Sequence, residues 1–390
     1  MKPEDDPQLE QAPGIRTGAS RLPDAGPAVV ELAQALRQPA TGLVLVFASS
    51  HYDEEATASG LREAFGATPL IGCTTAGEIG PHGYQENGLT GASFGGDDMD
   101  FEAGLLENLQ GTDQKSASGF AQSLRECLMS RHPGLGAERF FAFMLVDGLC
   151  GCEERVAHAF HDGLTGIPLA GGSSGGDLAF NDTRVLFNGR FFRNAAVLLV
   201  ATTPRPISVF STQHFLPMDT RMVVTGAIPE RRIVTEINGF PAAEEYARVV
   251  GIDYQDLLPQ VFAAHPVVVR IGDSDFVRSI QKVNPDGTLT FFCAIDRGIV
   301  FKVAQGGDML ANLDGTLAAI SQSIGPPVLI LACDCILRRL ECRQTAMTAA
   351  VGARLAAAGV IGFSSFGEQW NGMHINQTFT GIALGRSPAP

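Results

Sequence analysis

The densest run of chemically capable side chains is Gly367-Glu-Gln-Trp-Asn-Gly-Met-His-Ile-Asn-Gln-Thr378, which sets Glu368, Gln369, Trp370, Asn371, His374, Asn376 and Gln377 within ten residues, with Thr378 next to them. Polar groups at that density beside apolar strands read as a pocket wall. If His374–Phe379 is a strand, alternation places His374, Asn376 and Thr378 on one face and Ile375, Gln377 and Phe379 on the other. A neutral imidazole whose second nitrogen is fixed by a neighbour is what an axial metal ligand requires. A buried histidine in a hydrogen-bond network is the competing reading.

His214, in Ser211-Thr-Gln-His-Phe-Leu-Pro217, sits between aromatic and apolar residues at a strand end and is the second histidine candidate. Asp334-Cys-Ile-Leu-Arg-Arg339 follows a strong apolar strand, so its charges emerge at a strand end, where open α/β sheets place ligands. Arg338 or Arg339 can clamp a carboxylate through its planar fork, and Arg278 in Phe276-Val-Arg-Ser279 is a further clamp. Internal ion pairs are the alternative for all three. No Gly-x-Ser-x-Gly elbow in a strand-to-helix context, no His-Glu-x-x-His and no Cys/His pairing points to a nucleophile, so the chain reads as a binding protein rather than an enzyme. The pairs Cys150/Cys152 and Cys333/Cys335 are spaced too closely for the usual structural zinc pattern, and reduced thiols are expected.

The elements that must position these residues repeat. One heptapeptide occurs three times, as Gly72-Cys-Thr-Thr-Ala-Gly-Glu78, Gly171-Gly-Ser-Ser-Gly-Gly-Asp177 and Gly362-Phe-Ser-Ser-Phe-Gly-Glu368. Its form is G-x-[ST]-[ST]-x-G-[DE]. The terminal carboxylates argue against a phosphate cradle, and a tight strand-to-strand turn with hydroxyl capping is the structural expectation. Upstream of each copy lie an apolar strand and a helical pattern: Leu43–Ala48 with Glu54–Phe65, Phe140–Val146 with Glu153–Leu164, and Val328–Ala332 with Glu341–Ala358. Each copy follows a short strand, and another strand comes after it: Leu89–Phe94, Ala195–Val200 and Phe379–Leu384. The expected fold is α/β, in repeated layered units of strand, helix, strand, turn and strand. Between the second and third copies, short strands, Phe276–Val283 among them, and the turns Asn238-Gly239 and Asp286-Gly287 predict an antiparallel, strand-rich insertion in the C-terminal half. Residues 1–27, with five prolines and no apolar periodicity, read as a flexible N-terminal arm.

The charge balance, 28 − 42 = −14, repels phosphate backbones and anionic headgroups, which makes nucleic acid and membrane surfaces poor partners. Apolar runs are far shorter than the roughly 20 residues of a membrane span, and the start of the chain lacks a signal-peptide core, so a cytoplasmic location is expected.

From about Ala28 to Gly385 the ordered motifs, together with Val234-Thr-Glu-Ile-Asn-Gly-Phe-Pro241 and Tyr246, resemble the FIST sensory proteins. The resemblance implies a FIST N-terminal domain over 28–205 and a FIST C-terminal domain over 206–386, forming a stand-alone signal-input module. The chain is also similar in length and domain pairing to a stand-alone subgroup, the nitric-oxide-sensing haem proteins called NosP. That likeness implies haem b bound through a histidine, nitric oxide as the ligand, and a partner histidine kinase or cyclic-di-GMP enzyme. His374, or alternatively His214, would then ligate iron, with Arg338 or Arg278 pairing a propionate. The alternative is a metal-free FIST sensor in which Arg278, Arg338, Glu368 and Asn376 bind an amino acid or other small carboxylate. A homodimer is compatible with either reading.

Overall fold

Burial alternates along the apolar strands in a way that dictates layers. In Thr41–Ser49, Leu43, Leu45 and Phe47 enter one apolar cluster while Val44, Val46 and Ala48 enter another. Phe140–Val146 divides likewise, and so does Leu329–Cys335. In each strand one residue set meets a shared central core and the other meets helices, which is what an all-apolar strand needs. The structure, a computed structural model, describes residues 13–387 except 97, 178–181 and 273. Among the described residues no helix is long and apolar enough to cross a membrane.

The expected α/β repeat is present as three units. The first runs strand Ile15–Ser20, helix Ala25–Leu36, strand Thr41–Ser49, helix Glu54–Phe65, strand Leu70–Thr75, hairpin Glu78–Gly80/Gly83–Gln85 and strand Leu89–Gly95. The second runs Asp100–Glu107, helix Gln114–Arg131, Phe140–Val146, helix Glu153–Leu164, Leu169–Ser173, hairpin Val185–Phe187/Arg190–Phe192 and Ala195–Thr202. The third begins with Ile207–Thr212 and resumes after the insertion with helix Met309–Ile324, Leu329–Cys335, helices Ile336–Gln344 and Thr348–Ala357, Val360–Ser365, hairpin Glu368–Trp370/Met373–Ile375 and Phe379–Leu384. Within each unit the two strands joined through a helix pair in parallel, and the last strand returns antiparallel beside the first of them.

No unit keeps its own hairpin. That of the first unit pairs with Val360–Ser365 of the third, that of the third with Leu169–Ser173 of the second, and that of the second with Leu70–Thr75 of the first. The exchange closes a ring and gives three six-stranded sheets of the same internal order. Two hairpin tips dock alike: Asn188 and Asn371, both at positive φ, accept through Oδ1 from Leu70 N at 3.2 Å and Leu169 N at 3.0 Å.

The repeated heptapeptide is the crossing point of this ring. The backbone N–H of its fifth residue donates to the carbonyl of the third residue in another copy: Ala76 to Ser364 at 3.0 Å, Phe366 to Ser173 at 3.3 Å, and Gly175 to Thr74 at 2.9 Å. The motif's first half is therefore strand, not turn, and its first glycine has a packing role. A Cβ added at Gly72, Gly171 or Gly362 would lie 1.8, 2.0 or 1.8 Å from the carbonyl oxygen of Val46, Met144 or Ala332 on the parallel neighbour.

Residues 215–306 interrupt the third unit between its first strand and first helix. They form the expected antiparallel insertion, an eight-stranded sheet with its own core around Val234, Tyr246, Phe262, Phe291 and Phe301. Both Asn238-Gly239 and Asp286-Gly287 turn hairpins there.

Four local expectations need correction. Of the arm expected over 1–27, residues 1–12 lie outside the described residues, but Ile15–Ser20 is a strand and a helix starts at Ala25. Long-range pairing orders it: Ile15–Ser20 lies along Leu89–Phe94, and buried Arg205 donates to the Pro13 carbonyl at 2.6 Å. His374–Phe379 is not one strand, because Gln377 turns the chain at φ +52 and alternation breaks. Glu341–Ala358 is not one helix, because Ala346 at φ +56 separates Ile336–Gln344 from Thr348–Ala357. Phe276–Val283 is split at buried Ser279, whose N–H and hydroxyl serve Asn376 and Gln377.

Candidate functional site

The exchange creates three equivalent seams. In each, the C-terminal ends of two parallel strands and a helix start face a segment contributed by another unit, the position where α/β sheets bind ligands. The first hydroxyl of each heptapeptide marks its seam: Thr74 Oγ1 accepts from Arg184 N at 2.9 Å, Ser173 Oγ accepts from Gln369 Nε2 at 3.0 Å, and Ser364 Oγ accepts from Arg339 Nη1 at 3.1 Å.

The third seam is filled from within. Arg338 and Arg339 are each 1 % exposed. Arg338 Nε donates to Asp334 Oδ1 at 2.8 Å, the Tyr84 hydroxyl of the exchanged hairpin also reaches Asp334, and the Arg339 guanidinium lies over the Tyr84 ring. His214 joins this cluster, its Nε2 2.8 Å from Glu341 Oε1 and its Nδ1 3.2 Å from Arg338 Nη1. Ordinary periodicity does not announce two adjacent buried arginines: Arg338 makes an internal ion pair with Asp334, while Arg339 donates to Ser364 Oγ and to the Gln85 carbonyl.

The second seam is filled by the insertion. Arg232 reaches Glu153 and Glu154 at the start of helix Glu153–Leu164, and Arg278 Nη1 donates to the His374 carbonyl at 2.5 Å. His374 Nδ1 lies 3.0 Å from Gln369 Nε2, the imidazole also hydrogen-bonds the Phe292 carbonyl, and a Cβ on Gly367 would fall 2.2 Å from its Cε1. Burial holds this ring neutral, with its pKa lowered to about 4. Asn376 Oδ1 accepts from Ser279 N at 3.2 Å. The structure thus groups His374, Gln369, Asn376 and Arg278 in one place and His214 with Arg338 in another.

Glu368 belongs to the crossing point itself. It is wholly buried, with Ser365 Oγ donating to Oε1 at 2.5 Å and Thr378 donating to Oε2 from N at 3.1 Å and from Oγ1 at 2.7 Å. Glu78 repeats the arrangement, with Thr75 Oγ1 and Gly88 N. Burial is the largest influence on both and raises Glu368 to about 8 and Glu78 to about 7, against the pull of these donors. A carboxyl whose folded pKa exceeds its ordinary 4.5 holds its proton more tightly when folded, so its stabilising contribution is complete below that value and is lost as pH climbs through 7 to 8. Glu368→Gln, which mimics the neutral form, is expected to flatten the fall in urea midpoint between about pH 5 and about pH 9. An undiminished slope in the variant would show that Glu368 is ionised when folded.

Among the described residues the first seam holds a cavity of about 100 Å³, lined by Ser49, Ser50, Glu54, Thr74, Asp182 and Arg184 among others. Arg184 spans it, with Nη1 2.5 Å from Glu54 Oε2 and Nη2 2.8 Å from Asp182 Oδ2. Glu54 is held in place because Asp53 caps its helix, accepting from Ala56 N at 2.8 Å. A neighbouring groove of about 460 Å³ shares Glu54 and Phe191 with it and adds Glu55, Arg62 and Arg190. None of these charged residues was singled out by sequence, although Asn188-Gly189 between Val185–Phe187 and Arg190–Phe192 is a hairpin signal that leads to Arg184.

The FIST N domain pattern matches residues 42–239, and the FIST C domain pattern matches residues 242–371. The chain belongs to the FIST family. FIST domains are sensory domains that bind small ligands in signal transduction. The junction between the two FIST patterns falls inside the insertion, between hairpin Ile237/Phe240 and helix Ala242–Val250, whereas the chain leaves the second unit's sheet at Thr202. No curated protein matches this FIST chain in sequence.

Proposed function

We infer that the first seam is the sensory site and that its ligand is an amino acid or another small carboxylate, bound without a metal. One observation carries this: of three equivalent strand-end positions, two are plugged by the chain's own side chains, while the first keeps a polar hollow with a guanidinium across it. About 100 Å³ has room for roughly three waters, which limits the ligand to a few heavy atoms. A ligand carboxylate would compete with Glu54 and Asp182 for the fork of Arg184, and a ligand ammonium would take the carboxylates so released. The output side of the same proposal is a signalling enzyme such as a histidine kinase or a cyclic-di-GMP enzyme.

The haem expectation finds less support. An axial histidine needs a free ring nitrogen facing the porphyrin. His214 has both nitrogens occupied by Glu341 and Arg338, while His374 is wedged between Gln369, Phe292 and Gly367. As placed, these residues do not fit the group.

A thermal-shift panel of amino acids and small carboxylates tests the reading. A ligand at a hundredfold excess over its Kd stabilises by about 2.7 kcal/mol, a rise of several degrees in Tm. Arg184→Met is expected to abolish that rise while leaving the unliganded Tm within about 2 °C, because the two carboxylates it would leave behind, 41 % and 40 % exposed, are still solvated. If no member of the panel moves the wild-type Tm, the site assignment fails. A Soret band that appears on adding haem, shifts with nitric oxide and weakens in His374→Ala would replace this reading with the haem one.

A further inference from the structure

The exchanged hairpins each place one strand at an edge of a six-stranded sheet: Arg190–Phe192 in the sheet of the first unit, Met373–Ile375 in that of the second and Gly83–Gln85 in that of the third. An edge strand offers unpaired backbone groups to whatever lies beside it. Ahead of Arg190–Phe192, Asn188 and Gly189, both at positive φ, make a two-residue turn. The residues flanking that turn, Phe187 and Arg190, therefore exchange ladder bonds, and the next pair, Leu186 and Phe191, does not. The N–H and carbonyl of Phe191 point away from the sheet.

The other two edges are covered by the chain itself. The His374 carbonyl, at the middle of Met373–Ile375, accepts from Arg278 of the insertion. Helix Thr348–Ala357 lies against Gly83–Gln85: a Cβ on Gly352 would fall 3.3 Å from Tyr84 N, and one on Gly83 would fall 2.4 Å from the Gly352 carbonyl oxygen. At the equivalent Phe191, none of the described residues offers a backbone partner. The groove of about 460 Å³ is there instead, lined by this edge and by helix Glu54–Phe65.

The dimensions of the groove select its occupant. Its helix wall runs from Glu54 through Ala58 to Arg62, about 12 Å along the axis, the length of about four extended residues. At the far end Arg62 crosses to the hairpin and donates from Nη1 to the Gly189 carbonyl at 2.5 Å. At the near end Glu54 and Phe191 are shared with the cavity that Arg184 spans. Ala58 and Phe191 supply apolar surface between the charges. A free strand edge along one wall and a guanidinium beyond the end suit an extended chain that terminates in a carboxylate.

We propose that the first seam and this groove form one site for the C-terminal end of a partner polypeptide, which adds as a strand beside Arg190–Phe192 and sets its terminal carboxylate on Arg184. The proposal rests on the reading of the first seam as a carboxylate site and extends it. The hollow of about 100 Å³ takes the terminal group, and the groove takes the few residues before it. A free amino acid or small carboxylate would fill the hollow alone, so it and the peptide exclude each other.

The test passes a pool of acetylated hexapeptides with free C-termini, randomised over their last four positions, across the immobilised intact protein, then identifies and resynthesises those retained. Each should bind about tenfold more weakly as its C-terminal amide, and about tenfold more weakly to Arg184→Met. Methylating the peptide's backbone nitrogens one at a time should cost about tenfold at alternate positions only, because every second residue of an added strand faces the edge. Amide exchange at Phe191 should slow when the peptide binds, and any small carboxylate that raises the Tm should displace it. A small carboxylate that raises the Tm while no peptide is retained would overturn the peptide site and leave the first-seam reading standing. Retention indifferent to amidation, methylation losses without alternation, or unchanged exchange at Phe191 would overturn it as well. If neither the pool nor the carboxylate panel binds, the first-seam reading itself fails.

Discussion

Replacing Arg232 with methionine is expected to cost about 3–5 kcal/mol above neutral pH, because it leaves two carboxylates facing each other without their shared cation. The Glu153 side chain is 2 % exposed and Arg232 is 13 % exposed, so water replaces little of what is lost. Burial raises Glu153 to about 7 even with Arg232 in place, and removing the guanidinium removes a strong opposing influence. In Arg232→Met the folded-state value therefore moves further above the ordinary 4.5, so the variant's deficit is small at about pH 5, where Glu153 accepts a proton, and grows as pH rises through and beyond 7. Urea unfolding of wild type and variant at about pH 5 and about pH 8 measures the difference. Adding Glu153→Gln to Arg232→Met should recover part of the loss, since the pair share one interaction. An equal deficit at both pH values, or none recovered by the second change, would show that the ion pair does not hold the insertion down.

Gly362→Ala should be equally damaging for a steric reason. The new methyl carbon would lie 1.8 Å from the Ala332 carbonyl oxygen, and that oxygen belongs to a strand packed between two apolar clusters with no room to retreat. Separating the parallel strands Leu329–Cys335 and Val360–Ser365 also disturbs the crossing point beside them, so a loss of about 3 kcal/mol or more is expected. Gly72→Ala and Gly171→Ala should behave alike, at 1.8 and 2.0 Å from the same kind of atom. Gly119→Ala is the control: on the exposed face of helix Gln114–Arg131, with nothing within 4 Å, it should stabilise by about 0.5–1 kcal/mol. Melting temperatures of the four variants decide the matter. A Gly362→Ala protein as stable as wild type would mean that the shared glycine is not required by strand approach.

These glycines show how far local pattern reaches. The heptapeptide was visible three times, and its flanking apolar runs and helical periods were enough to place Glu54–Phe65, Phe140–Val146, Glu153–Leu164 and Phe379–Leu384 at their observed bounds. Such features are written in the spacing of neighbouring residues, and so was the antiparallel character of the insertion, through Asn238-Gly239 and Asp286-Gly287. Nothing in that spacing says that a hairpin leaves its own unit. Glu78–Gln85 pairs with a strand some 280 residues later, and a strand's side-chain alternation is the same whichever edge it meets.

The same distinction governs the site. Polar density drew attention to Glu368 through Thr378; Glu368, Gln369 and His374 to Thr378 are buried, whereas Trp370 to Met373 are partly exposed. Their partners include Ser173, Arg278, Ser279 and Thr378 itself, so they tie a crossing point to a seam. The cavity lies at the pseudo-equivalent position in the first unit, where Arg184 arrives from the second. Residue types and periodicity were sufficient for the three-unit α/β plan, because each element depends on its own few residues. Which of the three seams stays open was settled by long-range packing, because it depends on what the other units and the insertion push into each one.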